Sequence, residues 1–112
     1  MSILGELKTL LEPILPIETG IFKGIPPKEY IIITPLTDTF ELFADNKPEL
    51  EVQEVRLSLY SKGNYLITKS KIEGSVLNAD FTITDRRYVG HEDDTGYHHY
   101  AIDVAKEFIF MS

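Results

Sequence analysis

A chain of 112 residues that is 43% hydrophobic fits one domain, 1–112, built around one core. Its 18 acidic residues outnumber 11 basic ones, and a net charge of −7 opposes tight binding to a phosphate backbone. The absence of cysteine rules out disulfides, thiolate metal sites and thiol catalysis.

Ile3, Leu4, Leu7, Leu10 and Leu11 recur at spacings of three and four, predicting a helix with Ser2 as N-cap that Pro13 ends near Leu11 or Glu12. The start, Met1 to Glu6, lacks the basic stretch and cleavage site of a secretory signal, and no apolar run reaches the ~20 residues of a membrane span. The expected location is the cytoplasm. From Ile14 to Glu29 the density of Pro and Gly predicts mostly loop, with a short strand at Ile21-Phe22-Lys23 and turn roles for Gly20 and Gly24.

Tyr30-Ile31-Ile32-Ile33-Thr34 reads as a central strand buried on both faces and closed by Pro35. Leu36 to Leu50 reads as a projecting hairpin: Thr39 to Ala44 is a weak strand, and Asp45-Asn46-Lys47-Pro48 is turn chemistry. Phe40, Leu42 and Phe43 are too apolar for an idle loop, which marks them as an interaction surface. Val55, Leu57 and Leu59 alternate with Glu54, Arg56, Ser58 and Tyr60, predicting a strand from about Leu50 to Tyr60.

A second helix is predicted from about Asn64 to Leu77, with Asn64 as N-cap. Gly74 inside it is expected to pack closely on the sheet. Phe81, Ile83 and Asp85 then alternate with Thr82, Thr84 and Arg86 in a strand, and Tyr88 to Gly96 is an exposed charged turn. His98 to Phe110 alternates again, with His98, Tyr100, Ile102, Val104, Lys106, Phe108 and Phe110 on one face. The sum is an α+β fold: a four-stranded, mainly antiparallel sheet with two helices packed on one face, plus the projecting hairpin.

Chemistry-bearing motifs are sparse. His91, Glu92, Asp93, Asp94, His98 and His99 are the single cluster of potential zinc or manganese ligands, but His98 and His99 are strand neighbours that point to opposite faces. The cluster reads as a solvated acidic turn. No nucleophile elbow or phosphate-binding glycine loop occurs, and Arg86-Arg87 beside Asp85 reads as a salt-bridged strand edge. No enzymatic activity, catalytic residue, metal or cofactor is expected.

The short leading helix, the Pro/Gly-rich stretch, the segment Tyr30 to Leu36, the strand, the helix and then Gly90-His91-Glu92-Asp93-Asp94-Thr95-Gly96-Tyr97-His98-His99-Tyr100 together resemble the tail-completion and tail-terminator proteins of long-tailed bacteriophages and prophages. The similarity spans nearly the whole chain, and Asp94-Thr95-Gly96-Tyr97-His98 is its most specific piece. The resemblance implies a structural subunit of a ring, typically a hexamer, that terminates the tail tube and joins it to the head connector. Its partners would be copies of itself, the tail tube protein and head connector proteins, with no membrane and no specific nucleic-acid contact. DNA would pass through a lumen lined with acids. The location would be the virion tail, assembled in the bacterial cytoplasm, and Asp93 and Asp94 would join Phe40, Leu42 and Phe43 at subunit or tail-tube contacts. Two other readings are a small ligand-binding or regulatory α+β module and a metal-dependent hydrolase using the His91 to His99 region.

Overall fold

The computed structural model describes residues 3–44 and 47–109, arranged as α1 (Ile3–Leu11), β1 (Ile17–Thr19), β2 (Glu29–Ala44), β3 (Lys47–Ser61), α2 (Tyr65–Asn78), β4 (Thr82–His91) and β5 (His98–Ile109). The expectations for Ser2, Asp45, Asn46 and Phe110 lie outside the described residues. The class is α+β with two helices, as the periodicity predicts. The sheet, however, has five strands in the order β1-β2-β3-β5-β4 and is mixed, because β1 runs parallel to β2 while the other three pairings are antiparallel.

The additional strand lies at Ile17–Thr19, four residues before the expected one at Ile21 to Lys23. The Ile31 amide donates to the Pro16 carbonyl at 2.9 Å and the Gly20 amide to the Ile33 carbonyl at 3.1 Å, which anchors both ends of β1. Gly20, at φ 83°, then turns the chain away and leaves Ile21 in solvent.

One face of the sheet carries the core. Ile31 and Ile33 from β2, Val55, Leu57 and Leu59 from β3, and Ile102 and Val104 from β5 meet Ile3, Leu7 and Leu11 of α1 and Ile72 and Val76 of α2, all buried. Side chains that alternate along a strand share a face, so these odd and even sets follow directly from the register. Asn64 caps α2 by accepting the Leu66 amide, as its side chain predicts. Gly74 departs from expectation: it is exposed, and a Cβ built on it would meet nothing within 4 Å, so it does not mark close packing.

Pro35 does not close its strand. Ile31 and Ile33 aim their backbone groups at β1, and Pro35 continues that alternation, so its missing donor belongs to the outer edge rather than to the β2–β3 ladder. A bulge between Pro35 and Thr37 then lets β2 run on to Ala44 opposite β3. In β4, a bulge between Ile83 and Asp85 moves Asp85 onto the face opposite Ile83, against simple alternation, and a second bulge lies between Tyr88 and Gly90.

Candidate functional site

The strands outrun the helices. The Ile3 amide donates to Gln53 Oε1 at 3.0 Å, placing the start of α1 beside the middle of β3. Past that point β2, β3 and β5 form a three-stranded ribbon, and the molecule measures 54 × 26 × 24 Å. The projecting hairpin expected from Leu36 to Leu50 is thus an extension of the main sheet. Every described side chain from Thr34 to Glu41 is exposed, including Leu36 and Phe40, and Ile109 of β5 is 76% exposed. Leu42 and Phe43 lie on the same strand, with Phe43 opposite Pro48 in the ladder.

Charge on the ribbon is one-sided. Among the described residues, Asp38, Glu41, Glu49, Glu51 and Glu107 sit on it, against Lys47 and Lys106. Lys106 is already engaged: its Nζ lies 3.4 Å from Glu6 Oε2, donates to the Ala79 carbonyl at 3.2 Å and stands 4.5 Å from the centre of the Phe81 ring.

Asp93 and Asp94 are exposed at the opposite end of the sheet, in the turn between β4 and β5, so the structure does not gather them with Phe40. The Glu92 amide donates to the Tyr97 carbonyl and the Gly96 amide to the Glu92 carbonyl, with Gly96 at φ 80° making the reversal. His91 Nδ1 lies 3.0 Å from Asp93 Oδ1, and His98 Nδ1 lies 2.9 Å from the Tyr88 hydroxyl. His99 is on the other face. Among the described residues, no group of three or more His, Cys, Asp or Glu is arranged to hold a metal ion.

The face without helices carries an aromatic row that sequence reasoning missed. Tyr30, Tyr60 and His99 are cross-strand neighbours, stacked at 5.0 and 4.4 Å, and Tyr97 meets Tyr30 edge-on at 5.4 Å. Burial raises the Tyr30 and Tyr60 hydroxyl pKa values, with Tyr97 adding to the effect at Tyr30 and Glu92 at Tyr60, and lowers that of His99. Two rows away, Arg56 grips the buried Asp103 with bonds of 2.8 and 3.1 Å. Arg87 pairs with Asp85 as the sequence suggests, while Arg86 reaches Glu73 on α2. The signal for the row lay in the alternation itself, since Tyr30, Tyr60 and His99 all fall on non-core positions of their strands.

Two grooves remain. One, of about 450 Å³, lies between α1 and the start of β4 and is lined by Leu10, Ala79 and Phe81 with the Glu6–Lys106 pair. The other, of about 580 Å³, opens where β4 stops and β5 continues, beside Thr82, Ala105 and Glu107. None of the described helices is long and apolar enough to cross a membrane. No family model matches the chain, and no curated protein matches it.

Proposed function

We propose that the protein is a structural subunit of the tail-terminator kind, which associates with copies of itself into a ring and meets the tail tube and the head connector through protein–protein contacts. The observation that carries this reading is the ribbon. Ordering a residue costs roughly 1–2 kcal/mol, and a three-stranded sheet needs an apolar face packed on something to be stable alone. Here Phe40 and Ile109 are exposed beyond the helix layer. A partner covering them supplies the missing burial.

Light scattering over a range of concentrations, with electron microscopy of any large species, tests the proposal. The expected result is a monomer in exchange with closed rings, shifted toward rings by purified tail tubes. A tight two-fold dimer at every concentration overturns it, because two-fold contacts are self-complementary and do not build rings. The 450 Å³ groove favours a second reading, a small ligand-binding module, since its size and apolar walls suit an organic ligand. Thermal-shift screening with small hydrophobic carboxylates separates the two: saturable stabilisation lost in Leu10→Trp favours the module.

A further inference from the structure

Among the described residues, the two long edges of the ribbon carry no paired strand over different lengths. β1 covers the outer side of β2 only from Ile31 to Ile33, and β4 covers β5 only as far as Ala105. In an inner strand, successive residues aim their backbone groups at alternate neighbours. β3 pairs without a register shift along β5, so its odd residues serve β5 and its even residues serve β2. It follows that Asp38 aims its amide and carbonyl away from β3, and that Glu107, which lines the 580 Å³ groove, and Ile109 aim theirs past the start of β4.

We propose that these edges are the self-association surface: β5 of one copy, from Lys106 to Ile109, pairs in parallel with β2 of a second copy, from Asp38 to Glu41. This rests on the ring reading and names its contact. Direction supports it, because β2 and β5 are both antiparallel to β3 and therefore run the same way, so a second copy needs no inversion to continue the sheet. Charge supports it as well. Within one molecule Asp38, Gln53 and Lys106 share a row, as do Phe40, Glu51 and Phe108. Continuing those rows into the next copy sets Phe108 beside the second copy's Phe40, and Lys106 beside its Asp38, so that the lysine already held by Glu6 and Ala79 would be shared with a second carboxylate. Glu107 meets the neutral Thr39, so no like charges oppose each other.

The same geometry limits the contact. Beside the core, β4 and β1 would stand between β5 and the second copy's β2, adding two strands of ~4.8 Å each. Copies joined at their ribbons must therefore fan apart at their helical ends, which keeps the pairing to a few residues and curves the assembly. Repeated head-to-tail contacts with a fixed angle close into a ring.

The chain lacks cysteine, so introduced pairs report cleanly. Thr39 and Glu107 are both neighbours of Val52 on opposite sides, hence ~9.6 Å apart within one molecule and beyond disulfide reach, whereas the proposed contact brings them to adjacent strands between copies. Thr39→Cys mixed with Glu107→Cys under oxidation should give a disulfide dimer, while either variant alone should not. The double variant should give a ladder of multimers. Asp38→Pro should weaken self-association about tenfold with thermal stability retained, since its ring would stand on the outward side of β2 and crowd the incoming strand where the Asp38 carbonyl accepts the Glu107 amide, while leaving the β2–β3 ladder intact as Pro35 does. Thr39→Pro, which breaks the internal ladder, should unfold the ribbon and serves as the contrast. Association without the mixed disulfide and unaffected by Asp38→Pro overturns the edge contact and leaves the ring reading in place. Failure to associate under any condition, tail tubes included, overturns both.

Discussion

His99 shows how a single side chain couples this fold to pH. Its ring lies against Tyr60 at 4.4 Å, and Nε2 is buried without a hydrogen bond among the described residues. Burial lowers its pKa below 6.5, Arg56 and Arg87 push the same way, and Glu92 opposes them. The unfolded chain therefore binds a proton more readily than the folded one. The resulting stability is complete above about pH 6.5 and is lost as pH falls through the window between the unfolded and folded values. Urea midpoints measured at pH 7.5 and 5.5 should fall with acidification in the natural chain. His99→Phe, which keeps the stack and cannot titrate, should flatten that difference; an unchanged pH dependence would show that other groups cause it. The neighbouring Arg56–Asp103 pair is a different case, because the carboxylate is buried and both its oxygens are bonded, so it is fixed instead of poised.

The elements divide by how far their signals are local. α1 was legible because Ile3, Leu7 and Leu11 form one stripe, and α2 because Asn64 is a strong cap. β1 was hidden: three residues, Ile-Glu-Thr, carry no period, and the pairing partner that makes them a strand lies at Ile31 to Ile33. The continuation of β2 through Pro35 was hidden for a related reason. Proline forbids a ladder bond only on the side where its donor would point, and that side depends on register. Of the candidate surface, Phe40 was legible from its apolarity, while the Tyr30–Tyr60–His99 row needed three strands to be placed side by side. Gly74 was misread for want of its helical face. Since that position is exposed and open, Gly74→Ala should stabilise the protein by about 1 kcal/mol through helix propensity alone. Chemical denaturation would show a higher midpoint with the same slope; a loss of stability would mean that the helix backbone there depends on glycine.

At the scale of the whole molecule, the excess of acid is not spread evenly, and its placement bears on how a ring of the proposed kind would treat DNA. The ribbon holds Asp38, Glu41, Glu49, Glu51 and Glu107 against Lys47 and Lys106, whereas around α2 and β4 Lys62, Lys69, Lys71, Arg86 and Arg87 offset Glu73, Asp80, Asp85 and Glu92. In the ring proposed above, copies touch at their ribbons and fan apart at their helical ends, so the ribbons crowd toward the axis. A bore lined with carboxylates repels phosphates and lets a duplex slide without capture. Glu49 is exposed and Glu51 half-buried on β3, the ribbon strand that takes no part in the proposed contact between copies, which makes them suitable positions for charge reversal. The natural protein should not retard a DNA duplex at ~0.15 M salt, even at concentrations where rings form. The double variant Glu49→Lys, Glu51→Lys should bind duplex with an affinity that falls steeply as salt rises, because each new lysine displaces a counterion. Comparable DNA binding by the natural protein would remove the acidic bore from the account, and binding by a variant reversed only on the helical end would place the DNA contact elsewhere.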